Sequence, residues 1–149
     1  MANPVLLRST LAMGTAHLVA MLLWLRSWAN DPLLVFVYQV GLLTSLLNHG
    51  LTHPAWVWLD RAWMALGCTV DLTRILALRD SGQQAVLLAL QATLVAAFFV
   101  AKYLIARSAH KPSGNGPHLV THLGASVLHV WLLRLAAQDG TSPGLSHSH

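Results

Sequence analysis

The sequence predicts an all-α membrane protein, a polytopic bundle of about five transmembrane helices. Of its 149 residues, 55% are apolar and only 9% are charged, whereas a soluble domain is about 45–50% apolar and about 25% charged. Nine Lys and Arg with five Asp and no Glu are too few to cover a soluble surface of this size. The composition therefore excludes an ordinary soluble enzyme and a disordered chain. The single Cys68 excludes a disulfide framework.

The apolar residues fall into five stretches that match the bilayer in length. A hydrocarbon core of about 30 Å needs about 20 apolar helical residues to cross it. The stretches cover residues 5–26, 33–49, 57–78, 84–106 and 117–137. Because the first lacks a small-residue cleavage site, we interpret it as a retained helix rather than a signal peptide.

Turn residues and helix-start residues separate these stretches. The separators are Asn30-Asp31-Pro32, the segment from Gly50 to Pro54, Asp80-Ser81-Gly82, and the loop 111–117, whose Pro117 suits a first helical turn. All five helices form one domain over residues 1–137, and the Gly- and Pro-containing tail 138–149 is predicted to be disordered. A small excess of Lys and Arg on the N-terminal side predicts that this side faces the cytoplasm. A net charge of +4 without a basic run predicts no nucleic-acid partner.

Polar residues at membrane depth are the candidates for function, because an ionisable group in the bilayer costs a few kcal/mol by insertion scales. These candidates are His17, Ser45, His49, Asp60, Asp71, Arg74, His118, His122 and His129. For His17 and His129 we expect hydrogen bonds between helices. Asp71 and Arg74, three residues apart, are expected to form an ion pair within their helix.

One group of these residues has the composition of a metal site. His118 and His122 are four residues apart, so they share a helix face and can both reach one ion at the Zn–N distance of about 2.0–2.1 Å. The second helix ends on the side of the membrane where the third and fifth begin, which brings His49 and Asp60 to the same shallow depth. Three protein ligands with an open fourth position are typical of a catalytic zinc site.

Two members of this group also have simpler interpretations. Ser45 can act as a small packing residue that bonds its own backbone. Asp60 can pair with Arg61, or it can lie at a helix N-terminus where negative charge is favourable.

Five of these residues, taken in order, resemble the signature of the CREST superfamily. They are Ser45-x-x-x-His49, then Asp60, then His118-x-x-x-His122. This superfamily of membrane proteins includes the alkaline ceramidases and the adiponectin and progestin receptors, and the short step from His49 to Asp60 is most like the ceramidase branch. The resemblance covers five positions rather than a continuous alignment.

The resemblance implies a helical bundle that holds zinc through His49, His118 and His122 and hydrolyses amide bonds of lipids such as ceramide. Asp60 and Ser45 would then be the catalytic residues beside the metal. Asp60 would act as general acid and base, and Ser45 would donate to the developing oxyanion or orient Asp60.

The chain differs from the superfamily in its number of helices. The superfamily has seven, and here one helix stands between the Asp60 helix and the His118 helix instead of three. The helices that are missing would be walls around a lipid. Besides membrane lipids, we therefore expect a second copy of the chain or a membrane protein partner that supplies those walls.

Two other classes of function fit the same sequence. The first is a non-catalytic membrane subunit of a larger complex, which the small number of helices favours. The second is a haem-binding bundle, because His17, His49, His122 and His129 lie on membrane helices and two histidines can ligate haem from different helices.

Overall fold

A computed structural model describes residues 4–51, 53–107 and 115–139. Within these ranges the regular secondary structure is entirely helical, which confirms the predicted all-α bundle. The helices are α1 (Pro4–Leu23), α2 (Arg26–Asn30), α3 (Pro32–Gly50), α4 (Pro54–Leu76), α5 (Ser81–Arg107) and α6 (Asn115–Asp139). The five long helices correspond to the five predicted stretches, and the short α2 is additional.

Helix ends form where the sequence signals predict them. The Asp31 carboxylate accepts a hydrogen bond from the Leu34 amide at 3.1 Å, and Pro32 occupies the first turn of α3. His53 is exposed and caps α4, where its Nδ1 accepts from the Ala55 amide at 3.2 Å. At the other end of the chain, α6 continues past the predicted boundary at residue 137. The predicted tail from residue 140 and most of the predicted 111–117 loop lie outside the described residues.

The long helices surround a central space in the order α1, α3, α4, α5, α6. The helix α1 packs against both α3 and α6, α3 packs against α4, and α5 packs against α6. The helices α4 and α5 contact each other over fewer residues. Buried side chains such as Val35, Ile75, Leu87 and Leu133 fill the end of the bundle opposite the His49 end of α3. The fold therefore leaves its other half free to hold polar side chains and a cavity.

In the part of the chain that the structure describes, four helices are long and apolar enough to cross a bilayer, which indicates a multi-pass membrane protein. These are α1, α3, α5 and α6. The predicted span 57–78 corresponds to α4, which falls outside this group because it carries the charged residues Asp60, Arg61, Asp71 and Arg74. Large apolar side chains such as Phe36, Leu18 and Val127 are exposed on the outside of the bundle, as expected of lipid-facing helices.

The predicted ion pair between Asp71 and Arg74 is wrong, because both residues have partners on another helix. Arg74 donates from Nη2 to Oδ1 of Asp31 at 2.8 Å, and the Tyr38 hydroxyl donates to Oδ1 of Asp71 at 2.6 Å. The antiparallel packing of α3 on α4 places the start of one helix beside the end of the other. Interhelical partners at matching depth therefore replace the intrahelical pair.

Candidate metal centre

Three histidines from two helices converge at one end of the bundle. His49 lies in the last turn of α3, and His118 and His122 lie in the first two turns of α6. Each offers a nitrogen that lies within 4.8 Å of the other two, and all three side chains are buried. The structure thus brings together the three residues that the sequence predicts to be metal ligands.

The hydrogen bonding of these rings leaves nitrogens available for a metal ion. Among the described residues, Nε2 of His49 and Nδ1 of His118 are buried without a hydrogen-bond partner. Buried polar atoms normally have a partner, and leaving one without costs about 1–3 kcal/mol. A ligated ion would compensate both nitrogens, so the donor set fits a metal.

The third ring is oriented by a hydroxyl from α1. Oγ of Ser9 lies 2.7 Å from Nδ1 of His122 and donates its own proton to the Leu6 carbonyl at 2.8 Å. When the hydroxyl accepts the proton of Nδ1, the lone pair of the ring lies on Nε2 of His122. A metal-binding histidine almost always donates its other ring N–H in this way.

The three nitrogens lie slightly too far apart for one zinc ion to bind all of them without a small movement. Two nitrogens on one tetrahedral zinc ion, each at about 2.0–2.1 Å, stand about 3.3 Å apart. The nitrogens here lie within 4.8 Å of one another, so an inward movement of about 1 Å closes the site. Three imidazoles with an open fourth position match the ligand set of a catalytic zinc site.

Asp60 and Ser45 line the same cavity as His118 and His122. The Asn48 amide donates to Oδ2 of Asp60 at 2.6 Å, which fixes the carboxylate and leaves Oδ1 available for another partner. The Arg61 guanidinium lies over the Trp58 ring at 5.2 Å and also interacts electrostatically with Asp60. Ser45 is buried on α3, one turn before His49.

Lys102 lies beside this group. Nζ of Lys102 lies 4.9 Å from the centroid of the Phe98 ring, which meets His118 edge-on. Lys102 also interacts electrostatically with Asp60. The opposite charges of these two side chains offset each other at the edge of the site.

A largely apolar cavity of about 420 Å³ extends from these residues into the bundle. Its walls include Trp63, Met64 and Leu94. Val95 and Phe99 also line it, although 37% and 65% of their surfaces are exposed on the outside of α5. The cavity therefore reaches the outer surface beside α5, toward the less tightly packed side of the bundle.

A second polar cluster borders the cavity deeper in the bundle. His129 contacts His17 through Nδ1 and Nε2 at 3.1 Å, which confirms the predicted interhelical hydrogen bond. Nε2 of His129 lies 3.3 Å from Oδ2 of Asp71. A haem would require its iron and porphyrin plane between two imidazoles, and the direct contact of these two rings leaves no such space.

Three of the residues around the metal centre were not identified from the sequence. Ser9 and Thr10, which contact His122, precede it by more than a hundred positions and lie on another helix. Asn48, which holds Asp60, directly precedes His49. The one available signal was spacing, because Thr10 lies seven residues before His17 and so shares its helix face.

Comparisons of this chain with protein-family models, with curated proteins and with solved structures found no match in any of the three.

Proposed function

We propose that this protein is a membrane-embedded, zinc-dependent hydrolase of lipid amides, similar to the ceramidases. One observation carries the proposal. Three buried imidazoles converge with two unpartnered nitrogens, and two of the rings, those of His118 and His122, line an apolar cavity together with Asp60 and Ser45. A structural role alone would not require a carboxylate, a hydroxyl and an apolar cavity beside two of these rings.

The residues that would hold zinc are His49, His118 and His122. When bound, zinc supplies Lewis acidity to a carbonyl and lowers the pKa of water to about 7. Ser9 orients one ligand ring from α1, so three helices contribute to the site.

Asp60 would be the group that moves protons. Its Oδ2 is held by Asn48 at 2.6 Å, so Oδ1 would take a proton from the attacking water and return it to the leaving amine. Ser45 would donate its hydroxyl to the oxyanion that develops on the carbonyl, or orient Asp60. Both roles require the side chains to face the cavity, which both line.

The substrate would enter from the bilayer. The cavity reaches the outer surface at Val95 and Phe99 on α5, so an acyl chain could slide in without crossing water. The helices that the CREST superfamily adds next to α5 would cover this side, and a second copy or a membrane protein partner would serve in their place here. By the distribution of Lys and Arg, the metal centre would face the cytoplasm.

The metal is tested by analysis of purified protein. Wild type should hold about one zinc ion per chain, and His122→Ala should hold none. His53→Ala is the matched control, because His53 is exposed, caps α4 and is not one of the three converging histidines. Equal zinc content in His122→Ala and wild type would end the proposal.

Catalysis is tested by hydrolysis of a long-chain lipid amide in detergent micelles. Asp60→Asn should abolish turnover while zinc stays bound, and Asp80→Asn, at the exposed cap of α5, should leave turnover unchanged. Zinc without turnover in wild type would assign the site to a non-catalytic membrane subunit. A Soret band in the absorption spectrum would favour haem instead.

A further inference from the structure

A lysine on α5 faces the three histidines with its hydrogen-bond donors unused. Nζ of Lys102 lies 4.9 Å from the centroid of the Phe98 ring, and that ring meets His118 edge-on with centroids 6.1 Å apart. The ammonium group also interacts electrostatically with His49, His118 and His122. Within the part of the chain that the structure describes, it forms no hydrogen bond and no ion pair. Its three N–H donors are therefore available to a ligand.

The charges around Lys102 do not balance. Lys102 and Arg61 both interact electrostatically with Asp60, and the two cations repel each other. Among the described residues, Asp60 is the one carboxylate that interacts with Lys102, and the Asn48 amide already holds its Oδ2 at 2.6 Å. One positive charge is left without a counterpart. Because this group is partly withdrawn from water, an anion beside it would be stabilising.

This cation lies where the cavity reaches the outside of the bundle. Phe98 and Phe99 line the cavity, and Lys102 follows them by one helical turn on α5. Lys102 is half-buried, so a ligand can still reach its ammonium group. Lysine commonly lays its apolar stem along an apolar surface and keeps its charge at the polar end. A lipid that enters beside Phe99 would thus bring its head group to the charge.

The position of Nζ suits an anion that is close to the amide. Nζ can be no farther from the His118 ring than the 4.9 Å and 6.1 Å separations laid end to end. One amino-acid unit spans about 3.3–3.6 Å, and a hydrogen bond from an ammonium group to a carboxylate adds about 2.7–2.9 Å. If the amide carbonyl lies at the three histidines, a carboxylate one unit away falls within reach of Lys102.

We propose that the substrates are N-acyl amino acids, lipid amides whose amine side carries a carboxylate that Lys102 binds. Addition of one water across the C–N bond would release a fatty acid and an amino acid. A neutral head group, such as that of ceramide, would leave the ammonium group without an anion. A cationic head group would be repelled by both Lys102 and Arg61. This inference rests on the proposed function, which places the amide at the three histidines.

The test is equilibrium binding of three ethers that cannot be hydrolysed. Hexadecyloxyacetate, hexadecyloxyethanol and hexadecyloxyethylamine share one alkyl chain and differ in the charge of the head group. The receptor is purified wild type in a neutral detergent. The acetate should bind about tenfold tighter than the alcohol, the effect of a hydrogen bond between charged groups, and the amine should bind more weakly than the alcohol. Equal affinities for the three ethers overturn the proposal.

The role of Lys102 is tested with two cations on the same helix. Lys102→Met should reduce the tenfold preference to about equal affinity, whereas Lys102→Arg should keep most of it. Arg107→Met is the matched control, because the Arg107 guanidinium also lies 4.9 Å from a ring centroid on α5, that of Tyr103, but is not among the groups that act on Asp60. A preference that survives in Lys102→Met and disappears with a chelator would assign the carboxylate to the metal and overturn the role of Lys102.

The outcome separates this inference from the proposed function. Wild type should turn over an N-acyl glycine at a lower KM than the N-acyl ethanolamide with the same chain. If wild type hydrolyses the ethanolamide but binds the three ethers equally, the hydrolase stands and the carboxylate site is overturned. If the acetate is preferred through Lys102 while neither amide is hydrolysed, the carboxylate site stands and the hydrolase falls.

Discussion

The hydroxyl of Ser9 holds the ring of His122 from another helix. It lies 2.7 Å from Nδ1 of His122 and 2.8 Å from the Leu6 carbonyl oxygen, so the imidazole is held in orientation. Without this contact the ring could rotate about its side-chain bonds and turn its lone pair away from His49 and His118. Such outer contacts set metal affinity almost as strongly as the ligands do.

We predict that Ser9→Ala lowers zinc affinity about 10- to 100-fold while the protein stays folded. The measurement is competition with a chromophoric chelator in detergent. Thr15→Ala is the control, since Thr15 is exposed on the same helix and bonds only its own backbone, the Leu11 carbonyl. Unchanged affinity in Ser9→Ala would show that Ser9 does not position the ligand.

The buried carboxylate of Asp71 is a second case in which a single contact between side chains matters for the fold. It is 3% exposed and accepts from the Tyr38 hydroxyl at 2.6 Å. A buried charge is tolerated only with its hydrogen bonds in place. The Tyr38 ring also stacks on His129, with centroids 3.8 Å apart, so removing the hydroxyl alone isolates the hydrogen bond from the packing.

Tyr38→Phe should therefore destabilise the protein by about 1.5–3 kcal/mol, the range for hydrogen bonds to charged groups. The observable is a lower thermal midpoint of the detergent-solubilised protein. Tyr103→Phe removes a hydroxyl from an exposed position on α5 and should leave the midpoint unchanged. Equal midpoints for wild type and Tyr38→Phe would mean that Asp71 does not depend on this donor.

At the scale of the helices, Gly124 determines how closely α5 approaches α6. A Cβ atom at this position would overlap Cδ2 of Leu94. Leu94 is buried and lines the cavity, so a larger residue at 124 would have to push its side chain toward the cavity or force the helices apart. The position of the cavity wall at Leu94 thus depends on Gly124 having no side chain.

We expect Gly124→Ala to cost about 1–3 kcal/mol of stability through overpacking. Because the overlap involves one side chain, the cost should be mostly absent when Gly124→Ala is introduced into a Leu94→Ala background. Thermal unfolding of the four proteins in this cycle measures the coupling. Gly116→Ala, where a Cβ meets nothing within 4 Å, is the control, and strictly additive effects at 124 and 94 would refute the proposed contact.

At the scale of the whole molecule, polar groups form a column through an otherwise apolar bundle. Asp31 and Arg74 stand at one end, the cluster around Asp71 and His129 follows, and the three converging histidines His49, His118 and His122 lie at the other end. The cavity connects the last two groups. Cys68, the chain's single cysteine, lines this cavity and can report on its contents.

If lipid amides occupy the cavity, they should protect Cys68 from a membrane-permeable maleimide. We predict that a saturating long-chain amide slows labelling at least severalfold, followed by mass spectrometry of the intact protein. A matched control moves the thiol to the outside by combining Cys68→Ala with Thr69→Cys, since Thr69 is exposed. Equal labelling of Cys68 with and without lipid would show that the lipid binds elsewhere.

Much of the fold could be predicted because its signals are local. Stretch lengths, Asp31 before Pro32, and Gly50 followed by Pro54 place helix ends within a few residues. The grouping of His49 with His118 and His122 also followed from local facts, namely helical spacing and the parity of membrane crossings. The partners of Asp71 and Arg74 did not follow from local facts. Sequence distance favours pairing each residue with the nearest opposite charge, whereas the depth at which the helices pack brings other partners beside them.

The sequence by itself determined a helical membrane bundle and nominated three histidines on one side of it, since hydropathy, spacing and parity are properties of the chain alone. Only the tertiary structure decided which atoms meet. Ser9 reaches His122, Asn48 reaches Asp60, and Tyr38 reaches Asp71. These contacts join different helices, and the rotation and depth of one helix against another are set by side-chain packing, to which glycines such as Gly124 contribute. No periodicity along one helix contains that information.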